Sequence, residues 1–75
     1  MLAYVLISLQ TADEKSVLEE LRSMHRVREA HVLFGEWDII TKVEGQSPED
    51  VATFVMDEIR ALPQVKFTST LIVAR

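Results

Sequence analysis

Four consecutive residues, Gly35-Glu36-Trp37-Asp38, bring together the groups in this sequence best suited to hold a small polar molecule. A glycine leaves neighbouring backbone N–H groups open to an anion such as a carboxylate, and Asp38 offers its own carboxylate to an ammonium group. Each also has a plain structural role, since Gly35 permits a tight reversal and aspartates commonly bond the backbone of a turn. Glu36 and Trp37 fall at the tip of that reversal. A large aromatic is unfavourable there unless another subunit or a ligand covers it. Glu36 and Asp38 have no apparent partner that would divide acid and base roles between them, so catalysis by this pair is not expected.

A second polar group lies near the end of the chain, where Thr68-Ser69-Thr70 interrupts an apolar run. At two-residue spacing the Thr68 and Thr70 hydroxyls share one face of a strand. They suit hydrogen bonding to a ligand, although threonine is also a good strand former in its own right. His25 and His31 lack the spacing of a metal pair, and no cysteine is present, so neither a metal site nor thiol chemistry is expected. No phosphate loop, nucleophile elbow or dinucleotide fingerprint occurs, and no cofactor is expected. With a formal charge of −4 and only Arg22, Arg26 and Arg28 clustered, the chain is poorly suited to direct nucleic-acid binding. The apolar start, Met1 to Ile7, is far shorter than a membrane span and lacks a basic leader. The expectation is a cytoplasmic domain without membrane contact.

The elements that must position these groups show a repeat. Shifted by 38 positions, Leu21-Arg22, Met24, Val27 and Leu33 fall on Ile59-Arg60, Leu62, Val65 and Leu71. Two strand-helix-strand units are implied, forming one domain over residues 1–75. Ala3 to Leu9 reads as a strand, and Thr11 to Glu14 as a capping box that starts a helix. Val17, Leu18, Leu21 and Met24 form the apolar stripe of that helix, which ends near His25. Glu29–Phe34 and Asp38–Val43 read as a hairpin about Gly35. Ser47-Pro48-Glu49-Asp50 then starts a second helix, with a serine cap, a proline in the first turn and two acids at the positive dipole end. Its stripe is Val51, Phe54, Val55, Ile59 and Leu62, with Pro63 as the stop. A last strand covers about Lys66 to Ala74.

The order β-α-β-β-α-β predicts an α+β, ferredoxin-like plait, a four-stranded antiparallel sheet with two helices on one face. Yet Tyr4 to Ile7, Val32 to Phe34 and Leu71 to Val73 are unbroken apolar runs, so both sheet faces are expected to be buried. About six large side chains on the helix-free face, at ~1.5–3 kcal/mol each, represent on the order of 10–20 kcal/mol. That is comparable with an association cost of roughly 4–15 kcal/mol. A homodimer packed sheet against sheet is predicted.

Taken together, the capped helix, Val32-Leu33-Phe34-Gly35-Glu36-Trp37-Asp38-Ile39-Ile40, Ser47-Pro48-Glu49-Asp50 and Thr68-Ser69-Thr70-Leu71-Ile72-Val73 resemble the effector-binding (RAM) domain of Lrp/AsnC regulators over essentially the whole chain. The resemblance implies dimers joined through their sheets in dimeric α+β barrel fashion, often assembled into rings, with amino-acid effectors held between protomers. Gly35 and Asp38 match the ligand-loop positions of that family, and Thr68 and Thr70 its polar positions on the last strand. With Glu36 and Trp37 they form the expected ligand-binding set. Full-length regulators carry an N-terminal helix-turn-helix domain, whereas this chain begins at the first strand and resembles a stand-alone RAM protein. It departs from the family's Pro-Gly-Val after each helix, reading His25-Arg26-Val27 and Pro63-Gln64-Val65, which puts the geometry of those turns in question.

The function expected is non-enzymatic amino-acid sensing and oligomerisation related to transcriptional regulation. One alternative is a ligand-free adaptor that mixes with full-length Lrp/AsnC regulators. Another is a small dimeric α+β-barrel enzyme, which would show a closed apolar pocket holding His31 or Trp37 within one protomer.

Overall fold

In the computed structural model, which describes residues 1–75, the chain runs β1 (Leu2–Leu9), α1 (Glu14–Ser23), β2 (Val27–Val32), β3 (Ile39–Glu44), α2 (Pro48–Phe54, continuing as a π-helical turn over Val55–Ile59) and β4 (Val65–Ile72). The strands form one antiparallel sheet in the order β2-β3-β1-β4. Each strand-helix-strand unit therefore passes over one intervening strand, as in the expected ferredoxin-like plait.

Alternation along the strands sorts side chains between the two faces. Ala3, Val5 and Ile7 stand opposite Val43, Thr41 and Ile39, and all six are fully buried. Val17 and Leu21 of α1, with Val51, Phe54, Val55 and Ile59 of α2 and its π turn, complete this core. The opposite face carries Leu2, Tyr4, Leu6, Ile40, Phe67 and Leu71. There Phe67 is 60% exposed and Leu71 51% exposed. In the single chain two helices cover only one side of the sheet, so the burial expected for the other face has to come from a second copy.

The 38-residue repeat is structural. After α1, Met24 N–H donates to Leu21 C=O at 3.0 Å and Val27 N–H to Met24 C=O at 3.1 Å. After α2, Leu62 N–H donates to Ile59 C=O at 3.1 Å and Val65 N–H to Leu62 C=O at 3.1 Å. Both helix exits are therefore the same pair of tight turns. No residue other than glycine has positive φ, so Arg26 and Gln64 replace the family's glycines without entering the left-handed region. Leu62 lies past the helical bonds, in the turn that precedes Pro63, and not within the helix as its spacing suggested.

Two local expectations need correction. The Thr11–Glu14 capping box does not form, because α1 starts at Glu14 with Asp13 as its cap and no side-chain cap bond. Thr11 sits in the bend that follows β1, outside the first turn whose donors it would have to reach. The hairpin is also wider than a reversal at Gly35 alone. β2 ends at Val32, β3 begins at Ile39, and the Leu33 N–H donates to Asp38 C=O at 2.8 Å to close the loop. By contrast, Ser47 caps α2 as predicted, accepting from Asp50 N–H at 3.1 Å.

At the other end of the sheet, Asp50 organises the entry to α2. Its Oδ2 accepts from Gln46 N–H at 2.9 Å and pairs with the Arg26 guanidinium, which also lies 5.9 Å from the Phe54 ring centroid. Gly45 is required here by close approach, since a Cβ would stand 2.5 Å from Val51 Cγ2. We expect Gly45→Ala to destabilise the fold by about 1–3 kcal/mol in urea denaturation, as overpacking does. The Arg26 hydrogen bond, followed by the Gln46 N–H, holds the Asp50 carboxyl below its ordinary 3.8. On β2, the Lys42 hydrogen bond and then that of His31 hold Glu29 below its ordinary 4.5. A carboxyl depressed by folding takes up its proton first in the unfolded chain, so its stabilisation is complete above the unfolded value and fades as the pH falls through and below it. Thermal melts should accordingly drop as the pH falls below about 4.5, and Asp50→Asn should flatten that dependence while lowering the melting temperature at neutral pH.

Candidate functional site

The hairpin and the start of β4 meet at one end of the sheet, on either side of β1. Ile7 pairs with Ile39 on one side and with Thr68 on the other. Asp38 precedes Ile39, so it and Thr68 lie about two strand spacings apart, roughly 10 Å. Thr70 lies opposite Val5, two residues further in. The structure thus brings Asp38 and Thr68 to the same end of the sheet, with Gly35, Glu36 and Trp37 on the loop beyond β1.

Asp38 is fixed by a break in the ladder. Leu9 N–H points toward the β3 side, but β3 has not yet begun there, and the Asp38 Oδ2 accepts that N–H at 2.7 Å. The carboxylate stands where the next strand carbonyl would be. Its backbone N–H donates to Ile7 C=O at 2.9 Å, which holds the residue from both ends. Oδ1 makes no protein hydrogen bond, so one oxygen stays available. Asp38 therefore bonds backbone, as one of its two expectations held, but that of β1 and not of its own turn.

Gly35 has φ of +149°, and a Cβ built there would meet nothing within 4 Å. The glycine is demanded by conformation, and open space surrounds it. Glu36 is exposed and makes no hydrogen bond or ion pair. Trp37 is half-buried. The uncovered aromatic of the loop is Phe34, with a relative exposure of 106%, which sequence reasoning assigned to the strand. The available signal was Gly35, because a positive-φ residue directly after Phe34 ends the alternation that would have turned its ring inward.

Thr68 and Thr70 share a face as predicted, and it is the helix side, since their partners Ile7 and Val5 are core residues. Thr68 is half-buried and Thr70 exposed, as the helices leave the outer part of β4 bare. No concavity of the single chain is lined by any of the six expected residues. The largest, about 610 Å³, lies between the end of α1 and α2, with Arg26, Asp50 and Phe54 in its wall. His31 lines a shallow hollow of about 260 Å³ among charged neighbours, and Trp37 lines none. The closed apolar pocket of the enzymatic alternative is not found around either residue.

Arg22 and Arg26, two members of the one basic cluster in the sequence, have internal roles. Arg22 donates to Ala30 C=O at 2.8 Å, and Arg26 reaches Asp50. On the open sheet face, Lys42 joins Glu29 at 3.0 Å, and His31 lies 3.2 Å from the same carboxylate. The Glu29 hydrogen bond raises the Lys42 ammonium above its ordinary value. No group of three or more acidic, histidine or cysteine residues is arranged to hold a metal ion. No helix is long and apolar enough to cross a membrane.

A family model described as the Lrp/AsnC ligand binding domain matches residues 2–75. An uncharacterised HTH-type transcriptional regulator of Pyrococcus furiosus is 34% identical over 59 residues, covering 79% of this chain and 39% of that protein. The chain thus spans about two-fifths of the length of the curated relatives it matches. Among solved structures, FFRP-DM1 superposes with a TM-score of 0.89 at 38% identity, covering 96% of both chains. AsnC of E. coli gives 0.92 at 29% identity, covering 99% of this chain and 50% of that one. The transcriptional regulator NMB0573 of Neisseria meningitidis, solved as an L-Met complex, gives 0.88 at 18% identity over 99% of this chain and 49% of that one, a likeness of fold alone. A match from the second residue to the last, on the same plait, places the chain in the Lrp/AsnC ligand-binding domain family.

Proposed function

We propose that this domain is a non-enzymatic amino-acid-sensing and oligomerisation module of a transcriptional regulatory system, with its effector held between protomers. The observation that carries this is the spare oxygen of Asp38, held beside an unobstructed Gly35 at the end of the sheet where Thr68 stands. Backbone groups about Gly35 receive the α-carboxylate, Asp38 the α-ammonium, and Thr68 or Thr70 a remaining polar group. Glu36 and Trp37 flank this position on the same loop. One protomer does not enclose these groups, so a neighbouring copy must complete the cleft. The L-Met complex of the Neisseria regulator is consistent with an amino-acid effector.

Dimerisation through the helix-free face brings one neighbour to this end of the sheet, and the Thr68 and Thr70 hydroxyls, on the helix side, are left for a further copy in the assembly to cover. Leu2, Tyr4, Leu6, Ile40, Phe67 and Leu71 form the apolar surface, and the Glu29–Lys42 pair lies on the β2 side of it. A full-length regulator carrying the same domain offers the same surface, so mixed assemblies with such regulators are the adaptor form of this function. Co-expression and native mass measurement should then show hetero-oligomers, and separate homo-oligomers alone would count against that form.

Two measurements test the main proposal. Calorimetric titration with an amino-acid panel should show binding that Asp38→Asn abolishes while leaving stability nearly unchanged, because an amide oxygen still accepts from Leu9 N–H. Asp38→Ala should lose binding and also about 1–3 kcal/mol of stability, through the orphaned N–H. No binding at millimolar concentration, or undiminished binding by Asp38→Asn, would refute the effector site. For the dimer, Leu6→Asp should convert the protein to monomers in sedimentation, and a wild-type chain already monomeric at micromolar concentration would exclude it.

A further inference from the structure

Of the three clustered arginines, two are bonded inside the fold, Arg22 to the Ala30 carbonyl and Arg26 to Asp50. Arg28 makes neither a hydrogen bond nor an ion pair within the chain, and the backbone explains where it goes. On β2, Val27 pairs with Val43 and Glu29 with Lys42, so residues two apart on one strand meet neighbours on the other. Arg28 is the extra residue of that bulge and has no partner on β3. A bulge at a sheet edge re-aims the side chain it carries. Here Arg28 lines both hollows of this edge, at the end of the sheet opposite the hairpin.

The two hollows differ in what remains free. In the larger, about 260 Å³, Arg22 bonds the Ala30 carbonyl, and Glu29 stands beside His31 and Arg28. The other, about 200 Å³, is walled by His25, Arg26, Arg28, Glu44, Gly45 and Gln46 and contains no apolar residue. Its one carboxylate, Glu44, accepts from the Met1 nitrogen at 3.0 Å. The side chains of His25, Arg28 and Gln46 make no bond within the chain, and each can donate, through an imidazole N–H, a guanidinium fork and an amide NH₂. Such a wall suits a compact, negatively charged group rich in acceptor oxygens. A phosphate monoester presents three terminal oxygens to these three donors, and guanidinium matches phosphate geometry in particular.

We propose that the hollow beside the β2 bulge binds a phosphoryl group, that of a small phosphate ester or free phosphate, held by Arg28, His25 and Gln46. The bulge turns Arg28 out of the ladder so that it reaches this ligand. The site is independent of the amino-acid proposal, since Asp38 and its loop lie at the other end of the sheet.

Titration of the purified chain at fixed ionic strength, followed by NMR, tests this with inorganic phosphate and glycerol phosphate in separate arms. Saturable shifts at millimolar concentration or below should centre on the Arg28 Nε–H and the Gln46 side-chain amide. Tighter binding of the ester assigns the site to phosphate esters, and equal binding assigns it to phosphate itself. Arg28→Gln should weaken binding about tenfold or more, with a smaller loss for His25→Gln. Lys15→Gln removes the same charge from an exposed position on α1 outside the hollow and should change nothing. Absence of saturation at millimolar concentration overturns the proposal, and so does equal weakening by Lys15→Gln, which would reduce the effect to diffuse charge attraction. Binding seen only with a duplex oligonucleotide overturns it too, because Arg28 would then serve a nucleic-acid backbone.

Discussion

One sheet and two helices set the terms for the whole molecule. A four-stranded antiparallel sheet has two faces, and helices on one side leave the other to be dealt with separately. The core side is filled by small and β-branched residues on the strands, Ala3, Val5, Ile7, Ala30, Ile39 and Val43, against larger side chains from the helices. Its one polar member, Thr41, donates its hydroxyl to Glu29 C=O at 2.8 Å, beside the bulge that disturbs the β2 ladder. The other face is nearly as apolar along β1 and β4. Contiguous apolar surface of this kind is where protein interfaces commonly form.

Two aspartates do related work at opposite ends of this sheet. Asp38 completes β1 where β3 has not begun, and Asp50 ties the turn after β3 to the start of α2 and to Arg26. The difference between them lies in what the bonded oxygen carries. Asp50 Oδ2 takes a backbone N–H and the Arg26 guanidinium together, whereas Asp38 Oδ2 takes a single backbone N–H. A residue of this second kind can serve recognition without loosening the fold, and its amide variant separates the two roles.

Much of this was legible in the sequence because periodicity and capping chemistry are local. Ser47, Pro48 and Asp50 fix the start of α2, and the 38-residue repeat gives the plait. What failed depends on geometry beyond a few neighbouring residues. Thr11 had the spacing of a capping box, but the bend after β1 put it outside the helix. The hydroxyls of Thr68 and Thr70 were placed on one face, but only the register against Val5 and Ile7 shows which. Phe34 looked like the end of a strand, yet the ladder stops at Val32 and leaves its ring uncovered. The second task of Asp50, gripping Arg26 across 24 positions of sequence, has no local signature.

The matching turns after α1 and α2 show that the halves on either side of the hairpin are built alike, each leaving its helix by the same route. Residues 34 to 37 consequently act as a tether between equivalent units, relieved of any duty to fill the core apart from the half-buried indole. Apart from Gly35, such a segment is free to diverge. Around the fixed glycine, a lineage can exchange the remaining side chains of this loop while the scaffold on both sides stays unchanged.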